Sequence, residues 1–259
     1  MYRFDPTAKA SPALVVAEDN FKTGPDDWLQ LYTPSSAGNG TKWGTVTHVE
    51  RGGRRLMLRT PNITNTEVMG IKRMANVFGD GRYLLELIVN FELPAPYGAA
   101  GSSERPRWFT FGLDTALADG TRRYFKVRYL VYDEGGAAVA HKWQWADIGG
   151  SGVFTDIPGG AINLLDRNNE NKAFPTYIAL EVDTANGKYN GFRINSELRL
   201  GTLAASPDAS VSALGTVASS ALTAFNGGLN TCIDIVNRTA GFTAGALGIQ
   251  FHRLTYLGA

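Results

Sequence analysis

The residues best suited to chemistry lie on two long alternating runs. In residues 82–92, RYLLELIVNFE, Glu86, Asn90 and Glu92 share one parity with Leu84 and Ile88, and Tyr83, Leu85, Leu87, Val89 and Phe91 share the other. In residues 107–133, Trp108, Thr110 and Asp114 alternate with Phe109, Phe111 and Leu113. Further on, Arg122, Tyr124, Lys126, Arg128 and Tyr132 alternate with Arg123, Phe125, Val127, Tyr129 and Val131. Successive side chains of a strand point to opposite faces, so each run has an apolar face and a polar one. If these strands are neighbours in one sheet, Glu86, Asn90, Glu92, Trp108, Asp114, Tyr124, Lys126, Arg128 and Tyr132 line one surface. Sugar rings offer hydroxyls to carboxylates and amides and C–H faces to aromatic rings, and such a surface meets both needs. The plainer reading is a solvated face laced with cross-strand ion pairs, such as Glu86 with Lys126 or Arg128.

The elements that must position these side chains are strands joined by turns. Asp119-Gly120 marks a hairpin between the two halves of 107–133, and Asn186-Gly187 marks another between Thr176–Asp183 and Lys188–Ile194. Further strands are expected at 14–21, 28–32, 45–49, 54–60, 70–77, 140–147, 228–236 and 246–257, with a turn at Phe78-Gly79-Asp80-Gly81 and a hairpin at Arg51-Gly52-Gly53. Residues 149–160 are glycine-rich and are expected to be loop, and 201–228, rich in Ala, Ser and Thr, is expected to be an ordered loop with a helical turn. No long amphipathic helix, linker or repeat interrupts the pattern. Long antiparallel strands with one apolar face pack as two sheets face to face, so residues 1–259 are expected to form one all-β jelly-roll sandwich.

Composition narrows the function. The chain has 259 residues with 25 Lys and Arg against 24 Asp and Glu, which argues against nucleic-acid or membrane binding driven by charge. Cys232 is the single cysteine and is expected to be a small core residue. His48, His141 and His252 are far apart in sequence and show no zinc spacing. The acidic residues Glu18, Asp19 and Asp26 form no EF-hand pattern, so no metal and no cofactor is assigned. No transmembrane run appears, and the N-terminal residues hold no apolar run of the length a signal peptide needs. A native start would place the protein in the cytoplasm, and a removed signal would make it a secreted one.

Four stretches occur in an order that resembles a known group: AEDNF followed by Gly24 and Trp28, then GRYLLELIVNF, VDTANGKYNGFRIN and LGIQFHRLTYLG. The order resembles jelly-roll domains of the concanavalin A-like lectin/glucanase superfamily, and within it bacterial families without assigned chemistry. The resemblance implies two sheets whose first and last strands pair. It implies carbohydrate, oligo- or polysaccharide, as the ligand class, and calcium is frequent in that group. The catalytic motifs of its members are lacking. Glu86 and Glu92 have no Asp between them, unlike the E-x-D-x-x-E of laminarinase-type glycosidases. Residues 124–129, YFKVRY, resemble the opening of an alginate lyase motif but lack its glycine and glutamine.

The expectation is a carbohydrate-binding protein that uses the concave face carrying Glu86, Asn90, Trp108, Asp114, Tyr124, Lys126, Arg128 and Tyr132. The alternative is a glycosidase or polysaccharide lyase on the same face, with Glu86 or Tyr124 as the catalytic group. A structural or oligomerisation domain is the third reading. Trp28, Trp143 and Trp145 are expected to pack in the interior, and His141 and His252 to be ordinary hydrogen-bonded residues.

Overall fold

The computed structural model describes residues 13–21, 28–33, 56–59, 66–74, 78–92, 108–116, 122–132, 139–146, 154–161, 175–195, 197–200, 229–237 and 246–259. Among them are fourteen strands in two antiparallel sheets. The first sheet runs β1 (Leu14–Asp19), β14 (Ala246–Gly258), β5 (Arg82–Glu92), β10 (Thr176–Asp183), β11 (Lys188–Ile194) and β12 (Glu197–Leu200), with β3 (Leu56–Arg59) also against β14. The second runs β2 (Trp28–Thr33), β4 (Thr66–Met74), β13 (Leu229–Asn237), β6 (Trp108–Ala116), β7 (Arg122–Tyr132), β8 (Val139–Ala146) and β9 (Phe154–Ala161). The first and last strands pair, and the architecture is a jelly-roll β-sandwich.

The apolar parities fill the space between the sheets. Leu85, Leu87 and Val89 of β5 face Phe109, Phe111, Phe125 and Val127 of β6 and β7, all at 2% exposure or less. Ring contacts stitch the layers. Phe91 meets Phe109 edge-on at 4.9 Å, and Trp143 meets Phe192 at 5.0 Å. Trp28, Trp143 and Trp145 belong to this core, as the sequence suggested. Tyr189 of β11 crosses to the second sheet, where its hydroxyl accepts the Lys126 N–H at 3.0 Å and lies 3.2 Å from the Lys126 carbonyl and 3.3 Å from that of Ala146. In β14 a register shift between Ile249 and Phe251 changes the parity. Leu247 and Ile249 point inward before it, and His252 and Leu254 after it.

Several expectations are corrected. Residues 154–161 form β9 rather than glycine loop; among the described residues β9 is an edge strand paired only with β8, where Pro158 removes no ladder bond that a second neighbour would need. Strand β12 is four residues long, too short for alternation to reveal. Strand β4 begins at Thr66, four residues before the expected start. The β10–β11 connection is a four-residue turn, Thr184–Gly187, in which Gly187 alone has positive φ, 62°. A two-residue type I′ turn would need two such residues; here the Asp183 carboxylate instead accepts the Asn186 N–H at 2.9 Å. The expected strand at 45–49, the Arg51-Gly52-Gly53 and Asp119-Gly120 turns, the 201–228 tract and His48 lie outside the described residues, as do the side chains of Val131 and Tyr132.

Candidate functional site

The site is built on the outer face of the second sheet, where polar residues share parity across five neighbouring strands. Strand register sets Asp234 of β13 beside Thr110 of β6, Thr110 beside Arg128 of β7, Arg128 beside Gln144 of β8, and Gln144 beside Asp156 of β9. The row is bonded at its open end. Arg128 Nε donates to Gln144 Oε1 at 2.7 Å, Gln144 Nε2 to Asp156 Oδ1 at 2.6 Å, and Lys142 Nζ to Asp156 Oδ2 at 2.9 Å. A second row sets Asn230 beside Asp114 and Asp114 beside Tyr124, with Asn230 Nδ2 donating to Asp114 Oδ2 at 3.0 Å.

Aromatic rings bracket the rows. The Arg128 guanidinium lies 3.7 Å from the Phe154 ring centroid and 4.8 Å from that of Trp108. Lys126 Nζ is 5.3 Å from the rings of both Tyr124 and Phe154. Between the rows stands Gly112, where a Cβ would meet the Phe125 carbonyl and Tyr124 Cε2, the latter at 2.7 Å. The missing side chain lets the Tyr124 ring lie against the sheet.

Burial shapes the electrostatics. Removal from water pushes the Asp234 carboxyl up to about 6, against the Thr110 hydrogen bond and the charges of Lys126 and Arg128. Asp156 is lowered: burial, the largest single influence, raises it, but the bonds from Gln144 and Lys142 and the charges of Lys142 and Arg128 together outweigh it. Asp114 and Tyr124 are 0% exposed and Arg128 and Asp234 3%, whereas the Asp156 side chain is 58% exposed and that of Lys142 30%. The face expected to take the ligand is therefore closed at its middle, where long side chains lie across one another. It is accessible on the β8–β9 side, with Trp108 and Phe154 half-buried nearby.

The structure gathers Trp108, Asp114, Tyr124, Lys126 and Arg128 as expected, and the backbone of Tyr132 continues the same strand. It does not bring Glu86 and Asn90 there. Strand β5 pairs with β14 and β10 in the first sheet, so the polar parity of Glu86 and Asn90 turns to the opposite side of the sandwich. Glu86 accepts from Tyr177 Oη at 2.6 Å and lies 3.5 Å from Arg253 Nε, not from Lys126 or Arg128. Sequence reasoning missed Asn230, Asp234, Gln144, Phe154 and Asp156. Asp234 had a signal, a lone acid alternating with Ile233 and Ile235, but only the pairing of β13 with β6 gives it neighbours. No three His, Cys, Asp or Glu side chains among the described residues are grouped to hold a metal ion. Among them, too, no helix is long and apolar enough to cross a membrane.

No protein-family model matches the chain, and no curated protein matches it in sequence. Several solved structures are similar in overall shape. The potassium-bound carbohydrate recognition domain of Emp46p aligns with 95% of this chain and 97% of its own at 10% identity and a TM-score of 0.46. A lectin from Bauhinia forficata in complex with GalNAc aligns over 92% and 97% at 8% identity and a TM-score of 0.45. The CBM2 module of the evolved Dit of Lactobacillus casei BL23 phage J-1 aligns over 95% and 97% at 11% identity and a TM-score of 0.42. Likeness this distant assigns no residue a role, and the fold stands on the strand pairing itself.

Proposed function

We propose that the chain is a carbohydrate-binding jelly roll whose ligand surface is the outer face of the second sheet, entered from the β8–β9 side. The five-strand polar row from Asp234 to Asp156 carries the reading. Turning Asp234 and Arg128 away from the core and still burying them costs desolvation energy that apolar residues would avoid. The row ends at water, in an amide, a carboxylate and an ammonium beside two half-buried rings. Sugar hydroxyls bond to the first set and ring C–H faces lie on the second.

The test is a panel of immobilised neutral and acidic oligo- and polysaccharides, followed by calorimetry on whichever binds. Trp108→Ala and Asp156→Ala should each weaken binding at least tenfold with the fold intact by circular dichroism. Glu86→Gln, on the opposite outer face, should leave it unchanged. Silence across the panel would remove the reading, and equal losses from Glu86→Gln and Trp108→Ala would move the site off this face.

A further inference from the structure

We propose that the buried cluster of Asp19, Trp28, Lys72, Thr231 and His252 is an acid-operated latch that holds the edge strand β1 on the sandwich and releases it when His252 takes up a proton. The cluster lies between the sheets and away from the polar row. Asp19 of β1 accepts from Trp28 Nε1 at 3.1 Å, and its carboxylate lies 3.3 Å from Lys72 Nζ and 3.4 Å from His252 Nδ1. On its other side the ring meets Thr231, with Nε2 2.9 Å from Oγ1. Trp28 packs edge-on against the imidazole at 5.3 Å. One carboxylate on β1 thus ties the first sheet to β2 and β4 of the second, and through His252 to β13.

Among the described residues the charges balance while the ring is neutral. Asp19 offsets Lys72, and a neutral imidazole with its proton on Nδ1 faces the carboxylate while Nε2 accepts the Thr231 hydroxyl. A second proton makes Nε2 a donor and, among the described residues, sets two cations against one carboxylate in a space where His252 is 0% exposed. Among the described residues, the titratable groups facing the ring are Asp19 from β1 and Lys72 from β4; β2 presents Trp28, β13 Thr231 and β5 the apolar Leu87. Burial holds the imidazole below its ordinary range, with Lys72 adding to the effect and Asp19 opposing it.

Strand β1 is the part that can yield. Among the described residues it pairs with β14 alone, carries a register shift between Val15 and Ala17, and leaves Leu14 42% and Val15 55% exposed. Its outer link, Glu18 to Arg253 at 3.3 Å, is a solvated ion pair of small worth. The chain leaves the strand through Phe21, whose φ of 55° is unfavourable for a bulky residue. Detaching β1 removes Asp19 and lets water reach both cations, so His252 regains its free pKa of about 6.5. Below that value the released form takes up a proton that the latched form resists, and the ratio of released to latched rises by up to about tenfold per pH unit.

Hydrogen exchange on the intact chain between pH 7.5 and 5 reads this directly. After correction for intrinsic exchange, protection of 14–19 should fall as pH drops below about 6.5, by at most about tenfold per unit, while β6 and β7 stay protected. His252→Gln should flatten that slope. An equal slope in the variant, or loss of β1 protection only together with β6 and β7, would overturn the latch. Should His252→Gln not fold, the ring is followed by NMR in the unaltered protein. A midpoint below 6.5 that coincides with β1 release supports the proposal, and titration at or above 6.5 with β1 still protected refutes it.

Discussion

Asp234 shows how much one residue can reveal about the face it sits on. Its carboxyl is pushed up to about 6 by burial, against the 3.8 of a free aspartate. Between those values the folded chain keeps a proton that the unfolded chain gives up, so this group favours folding at the acid end and its contribution is lost as pH rises through about 6. Asp234→Asn should therefore raise stability at pH 7.5, seen as a higher urea midpoint, and remove this contribution to the pH dependence between about 4 and 6. His252 acts in the opposite sense: its depressed value makes stability fall as pH drops below the unfolded value of about 6.5. A stabilising Asp234→Asn that also weakens saccharide binding would mark the residue as one kept for function at a cost in stability.

At the scale of elements, hairpins and cross-sheet bridges hold the frame. Gly187 takes φ of 62° between β10 and β11, where a β-branched residue is disfavoured, so Gly187→Val should destabilise the protein by about 1–2 kcal/mol in chemical denaturation. Tyr189 is the clearest bridge between layers, because its hydroxyl sits among the Lys126 N–H and the Lys126 and Ala146 carbonyls. Tyr189→Phe keeps the ring against Phe125 and Trp145 but leaves those buried groups short of a partner. The loss should be about 1–3 kcal/mol, measured as a lower denaturant midpoint with an unchanged m-value. Most of these elements were legible because strict alternation over nine to eleven residues, as in β5, β6 and β7, admits only strand. Strand β9 was not legible, since its Pro158, Gly159 and Gly160 read as loop and only its place at the sheet edge makes them acceptable.

For the whole molecule, the alternation of residues was enough to read a two-sheet β-sandwich and the parity of each long strand that fills it. Burial of alternate side chains is a local consequence of the strand period, and Phe109, Phe111, Phe125 and Val127 obey it without reference to distant residues. It also determined that Trp108, Asp114, Tyr124, Lys126 and Arg128 share a face, because β6 and β7 are adjacent in the chain and pair as a hairpin. That Glu86 and Asn90 belong to the other side emerges from the folded chain, since nothing local tells β5 which sheet to join. Folding alone brought Asp234 to Thr110, 124 positions away, and Asp19 to Lys72 and His252. These contacts depend on strand order, which is set by how all the apolar faces close around one core rather than by the residues on any one strand.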